Sequence, residues 1–166
     1  MSVSQAFLQE FDNEAKTTRR VLERVPDDKL GWKPHDTSWS MGDLASHLAN
    51  LIKWTGYTMS RTEFDLAAVP PEELNQAASS RTQLLEWFDA NAAAARRALA
   101  KSDAEYVVPW SLKQGQQVYF TLPRYTCIRS YVLNHLVHHR AQLAVYLRLN
   151  NIPVPAMYGP SADEWN

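Results

Sequence analysis

A single cysteine, Cys127, stands in the 166 residues, so no intramolecular disulfide can form and no zinc cluster built on several thiolates is available. Any metal held by this chain must be bound through nitrogen and oxygen. Excess charge of one sign is also missing: 17 basic against 18 acidic side chains leave a net charge of −1. Without a positive field to displace counterions, nucleic acid is not an expected partner. No apolar run approaches the roughly 20 residues that span a bilayer, and the N-terminus MSVSQAFLQEFDNEAK holds none either. A soluble, cytoplasmic protein that does not enter a membrane is expected. A glycine-rich phosphate loop, a GxSxG elbow and an HExxH helix are absent too, which removes nucleotide-dependent, serine-hydrolase and zincin chemistries.

What is there is the composition of a folded protein, 45% hydrophobic and 21% charged, in a length that suits one compact domain over residues 1–166. Four stretches carry helical periodicity. The first spans about 3 to 24, with Phe7, Phe11, Ala15, Val21 and Leu22 on one stripe and Pro26 as its stop. A proline-containing loop follows. Ser40, with Asp43 three residues on, then opens a second helix whose stripe runs from Met41 through Leu44, Leu48 and Leu51 to Met59. Residues 64 to 78 read as a connection containing Pro70 and Pro71. The third helix starts near Arg81 and is rich in alanine and leucine. Next, VVPWSLKQGQQVYFTLPRY suits an irregular excursion or a short hairpin around Gly115. The fourth helix covers about Tyr125 to Asn150, and the proline-rich tail NNIPVPAMYGPSADEWN leaves it.

On that last helix Ile128, Tyr131, Val132, His135, His139, Gln142, Leu143 and Tyr146 share a face at 100° per residue. His135 and His139, one turn apart, can direct both imidazoles to one point, the way a helix offers two metal ligands. His138 competes as the partner of His135 but lies about 100° around the helix from His139, which favours a surface or supporting role. His47, on the second helix beside Leu44 and Leu51, is the source of a third ligand if the two helices face each other. Lone histidines on apolar faces are more often hydrogen-bonded core residues, so spacing alone leaves both readings open.

The segments SWSMGDLASHLANL, NHLVHHRAQLAVYLRLN and IPVPAMYGPSADE resemble the DinB family, also called DinB/YfiT-like metalloenzymes, in order and spacing. The resemblance covers nearly the whole chain and is weakest between residues 60 and 124. It implies an all-α fold, a four-helix bundle running up-down-down-up, with His47, His135 and His139 binding one divalent ion, and it implies a homodimer. Val137, Ala141 and Ala144 form a small-residue face on the last helix that suits packing against a second copy or against the bundle itself.

Three neutral imidazoles leave a coordination position open, the arrangement of catalytic sites. Zinc and nickel both suit imidazole. The resemblance extends to relatives that use low-molecular-weight thiols in S-transfer or isomerisation and to relatives that hydrolyse. The expected function is therefore metal-dependent chemistry on a small molecule, with a non-catalytic, stress-associated metal- or ligand-binding protein as the alternative. Tyr158, Asp163 and Glu164 in the tail are candidates to fold back as a general base, although exposed carboxylates near a terminus are usually only solvated. Cys127 reads as a small buried side chain, His35 as a surface residue and Trp54 as a pocket wall. Arg140 and Arg148 read as polar-side residues that solvate or pair at a dimer edge.

Overall fold

The computed structural model describes residues 2–70, 73 and 76–165. Helix α1 (Val3–Leu22) starts at a capping box in which the Ser2 side chain accepts from the Gln5 amide and the Gln5 side chain accepts from the Ser2 amide. Its buried stripe is Phe7, Phe11, Thr18, Val21 and Leu22. Helix α2 (Met41–Leu51) opens on a second capping box, Ser40 with Asp43. The preceding loop is fastened to its first turn by amides of Met41 and Gly42, each 2.8 Å from the carbonyls of Trp32 and Leu30. Glycine is required at 42, because a Cβ there would meet the Leu30 carbonyl oxygen at 2.9 Å.

The second periodic stretch is two helices. It breaks at Ile52, and α3 (Lys53–Ser60) continues with Thr55 and Met59 still buried. Helix α4 (Arg81–Leu99) is capped by Ser80 and buries Leu84, Phe88, Ala95 and Leu99. A short α5 (Asp103–Tyr106) follows. The final stretch runs without interruption through α6 (Arg124–Cys127), a π-helical segment (Ile128–Leu133) and α7 (Asn134–Leu149). Helices α1 and α2 both pack on α4 and on α7, around a core that joins Phe11, Leu22, Leu44, Leu48, Phe88, Leu136 and Leu143.

The all-α expectation is corrected by a three-stranded sheet. Strands β2 (Pro109–Gln114) and β3 (Gln117–Pro123) form an antiparallel hairpin, and β1 (Glu63–Asp65) joins the other edge of β2 in parallel. The hairpin turns at Gly115, whose φ of 59° lies in the region glycine adopts without steric cost. The β-branched and aromatic residues of this stretch gave the signal, and β1 arises within the part expected to be only a connection. Residues 71, 72, 74 and 75 of that connection lie outside the described residues. The sheet covers a second, smaller core of Phe64, Trp110 and Cys127, against which Trp54, Tyr57, Leu112 and Phe120 pack. The fold is therefore helix-rich, with a small sheet added beside the helices.

After α7 the chain reverses at Asn151, the sole non-glycine at positive φ among the described residues. The tail then returns along α1. Glu164 pairs with Arg20 and Arg24, and Asp163 pairs with Arg148 while accepting from the Val154 amide at 2.8 Å. Arg148 is thus tied to its own chain. Arg140 corrects a second expectation: it is 1% exposed, and its guanidinium pairs with Glu14 at 2.7 Å and with the Thr18 hydroxyl at 3.1 Å. The expected small-residue face divides, since Ala144 is buried in the core while Ala141 is exposed.

Candidate metal centre

His47 comes from α2, where Leu44, Ala45, Leu48 and Leu51 point into the core and leave the imidazole half-buried at its edge. His135 and His139 come from α7 one turn apart, and the packing of α2 on α7 brings all three rings together. The Nε2 atoms of His47 and His135 lie 3.4 Å apart, those of His135 and His139 2.7 Å apart, and one nitrogen from each ring falls within 4.8 Å of the others. Among the described residues no carboxylate or thiolate joins this group.

Two of the rings are held from outside the cluster. His139 Nδ1 lies 2.7 Å from Gln142 Oε1, and the His135 ring is hydrogen-bonded to the Tyr131 backbone. With His139 Nδ1 donating to that oxygen, its Nε2 carries a lone pair toward the other rings, the orientation that ligates a cation. Two nitrogens bound to one tetrahedral zinc at about 2.0–2.1 Å sit roughly 3.3 Å apart. The 3.4 Å pair matches that spacing, and the 2.7 Å pair requires only a small opening, so the residues fit an ion.

Burial, followed by the neighbouring His139 and His135, pushes the His47 pKa down to about 4. Burial also lowers His135 against the opposing Tyr131 backbone hydrogen bond, and lowers His139 against its bond to Gln142. All three rings are consequently neutral near pH 7, the protonation state that ligates metals. Trp39 covers the group from one side, its ring 5.0 Å from that of His47 and 5.5 Å from that of His139.

Other candidates fall elsewhere. His138 is exposed and its ring only edges His139 at 4.8 Å. His35 is exposed and bonded to Thr37. Tyr158, Asp163 and Glu164 fold back onto Arg140 and Glu14, Arg148, and Arg20 with Arg24, not onto the histidines. Cys127 is buried and desolvation pushes its thiol up to about 11, so it stays protonated and is a poor nucleophile. Sequence reasoning missed Gln142 and the Tyr131 carbonyl as supports of the rings, and Trp39 as their cover. Gln142 was legible three residues beyond His139 on the same face.

Space opens on two sides of His47. One is an apolar cavity of about 210 Å³ between the helices and the sheet, reaching His47 and His135, with Trp54 as an expected wall. The other is a cleft of about 220 Å³ with more polar surface, bordered by Trp39, Asn50 and Lys53.

The chain is 26% identical over 160 residues to the uncharacterised protein YrdA of Bacillus subtilis strain 168, covering 96% of this chain and 90% of that one. A DinB-like protein from Bacillus cereus ATCC 10987 superposes with a TM-score of 0.74 at 20% identity, over 95% of this chain and 98% of that one. The DinB-like protein YjoA of B. subtilis gives a TM-score of 0.68 at 14% identity, over 89% and 95%. These two likenesses speak to the fold. The family model described as "DinB family" matches residues 1–166, the full length of the sequence, and the chain belongs to the DinB family.

Proposed function

We propose that this protein is a metal-dependent enzyme acting on a small molecule, with His47, His135 and His139 holding one divalent transition ion, zinc or nickel. The observation that carries the reading is the convergence of three Nε2 atoms, two of them 2.7 Å apart, with His139 Nδ1 engaged by Gln142. An open ion in such a site supplies Lewis acidity that lowers the pKa of a bound water or thiol and yields a nucleophile near pH 7. The chain's own residues do the rest. Gln142 and the Tyr131 carbonyl orient the rings, Trp39 covers them from one side, and the adjoining cavity gives an apolar approach to His47 and His135.

Of the reaction types open to such a nucleophile, transfer of a low-molecular-weight thiol to a small electrophile is preferred over hydrolysis. The second reading, a non-catalytic metal- or ligand-binding protein, is favoured by one specific observation: no carboxylate among the described residues joins the three ring nitrogens, where it could serve as a general base. We further read the helices as the up-down-down-up four-helix bundle of the family in a cytoplasmic homodimer, supported by Val145 and Leu149, exposed on α7 at 56% and 58%. Analytical ultracentrifugation tests the dimer.

Elemental analysis of protein purified without a histidine tag, before and after reconstitution with zinc or nickel, tests the site. About one equivalent per chain is expected, and less than about half an equivalent after reconstitution overturns it. Loaded protein is then assayed with cellular thiols and small electrophiles. Turnover lost in His135→Ala supports the enzyme, and full loading without turnover moves the assignment to the binding protein.

A further inference from the structure

We infer that the apolar cavity between the helices and the sheet seats the non-reacting part of the substrate, an uncharged aromatic or cyclic hydrocarbon portion. That its reactive end meets an ion rests on the metal-site reading; the binding of the apolar portion does not.

The volume of about 210 Å³ sets the size. Dry cavities of about 150 Å³ hold a benzene, so this one holds a substituted ring. Leu51, Trp54, Trp110, Leu112, Phe120 and Val132 give it flat and branched walls, and no charged side chain reaches it. A ligand carrying a formal charge would lose its hydration there with nothing to replace it. Trp110 is 2% exposed and lines this cavity, so its indole serves as a flat apolar wall.

Direction follows from the lining. His47 and His135 border the cavity while His139 borders a separate recess with Trp39 and Gln142, so a molecule seated here reaches the cluster past His47 and His135. Toward solvent, Phe120 stacks on Tyr131 with centroids 4.6 Å apart and planes at 7°, and Tyr131 is 44% exposed. Phe120, Trp110 and Leu112 all come from the hairpin. The sheet that departs from a purely helical fold is thus the element that selects the substrate.

The test is fluorine NMR titration of the zinc-reconstituted protein, its zinc measured in the same samples, with 4-fluoroacetophenone, 4-fluorotoluene and 4-fluorobenzenesulfonate. The ketone binds, and the sulfonate binds at least about tenfold more weakly. Leu112→Trp, at a half-buried position, fills the space and weakens the ketone by about tenfold or more with zinc content unchanged. 4-Fluorotoluene binds as the ketone does and is weakened by the same substitution. Equal binding of ketone and sulfonate, or a ketone affinity indifferent to Leu112→Trp, overturns the inference. Protein that refuses zinc yet binds the ketone selectively upholds the cavity and defeats the metal site; protein that takes up zinc but binds no ketone does the reverse.

Discussion

Glu14 of α1 and Arg140 of α7 form an ion pair 2.7 Å long with the guanidinium 1% exposed, one residue after His139. The Tyr158 hydroxyl donates to the same carboxylate at 2.7 Å, so the pair also fastens the tail. Breaking such a pair from one side leaves a buried charge alone. Arg140→Met is expected to cost about 3–5 kcal/mol in denaturant unfolding, whereas the double replacement Glu14→Leu with Arg140→Met costs much less. Equal losses in the single and double variants would show that packing, not charge, dominates here.

The ring supports give a graded prediction. Gln142→Leu removes the acceptor from His139 Nδ1 and is expected to weaken metal binding by about 10- to 100-fold in a competition titration. His138→Ala, at an exposed ring outside the cluster, leaves affinity unchanged. A drop of similar size for His138→Ala would place that ring among the ligands.

Metal removal reads out as stability. An ion that binds only the folded chain adds about 2.7 kcal/mol at a hundredfold excess over its Kd. Chelation is therefore expected to lower the melting temperature of the loaded protein by several degrees. His135→Ala melts at one temperature with or without the chelator.

A separate pH dependence belongs to Asp103, whose carboxylate accepts from the Ser4 and Val3 amides at 3.0 Å each and caps the start of α1. The Ser4 bond first and the Val3 bond second hold it below the ordinary carboxylate value. A depressed folded value means the contribution is full above the unfolded pKa of about 3.9 and is lost as pH falls through the lower folded value. Asp103→Asn is thus expected to melt below the parent near neutral pH. The two curves converge as pH falls below the depressed folded value, and an offset that persists in stronger acid would rule out the charged cap.

Much of this was legible because periodicity and caps are local. Ser40 with Asp43 marked the start of α2 correctly, and the spacing of His135 and His139 placed them on one face. His47 joined them only by resemblance, since which helices face each other is a tertiary fact. The sheet was half legible: Gly115 and its β-branched flanks signalled a hairpin, but β1 is three residues that acquire strand geometry only by pairing with β2. Arg140 misled because a charged residue on a helix is ordinarily solvated, and Glu14 lies 126 positions away in sequence. Even 100° spacing along the last helix was an idealisation, since the chain winds differently between Ile128 and Leu133.

That winding leaves one residue of length to spare. A π turn holds more residues than an α turn, so the segment takes up an extra residue while the helix on either side keeps its facing. Deleting exposed Ser130 is expected to let α winding run through the stretch, with His135 and His139 still toward His47 and with Cys127 and Ile128 still interior. Deleting exposed Asn134 as well has no extra residue to draw on and turns one half against the other by about 100°. Metal loading in elemental analysis is expected to survive the first deletion and to fail with the second. In this stretch a residue can be lost without the site being lost.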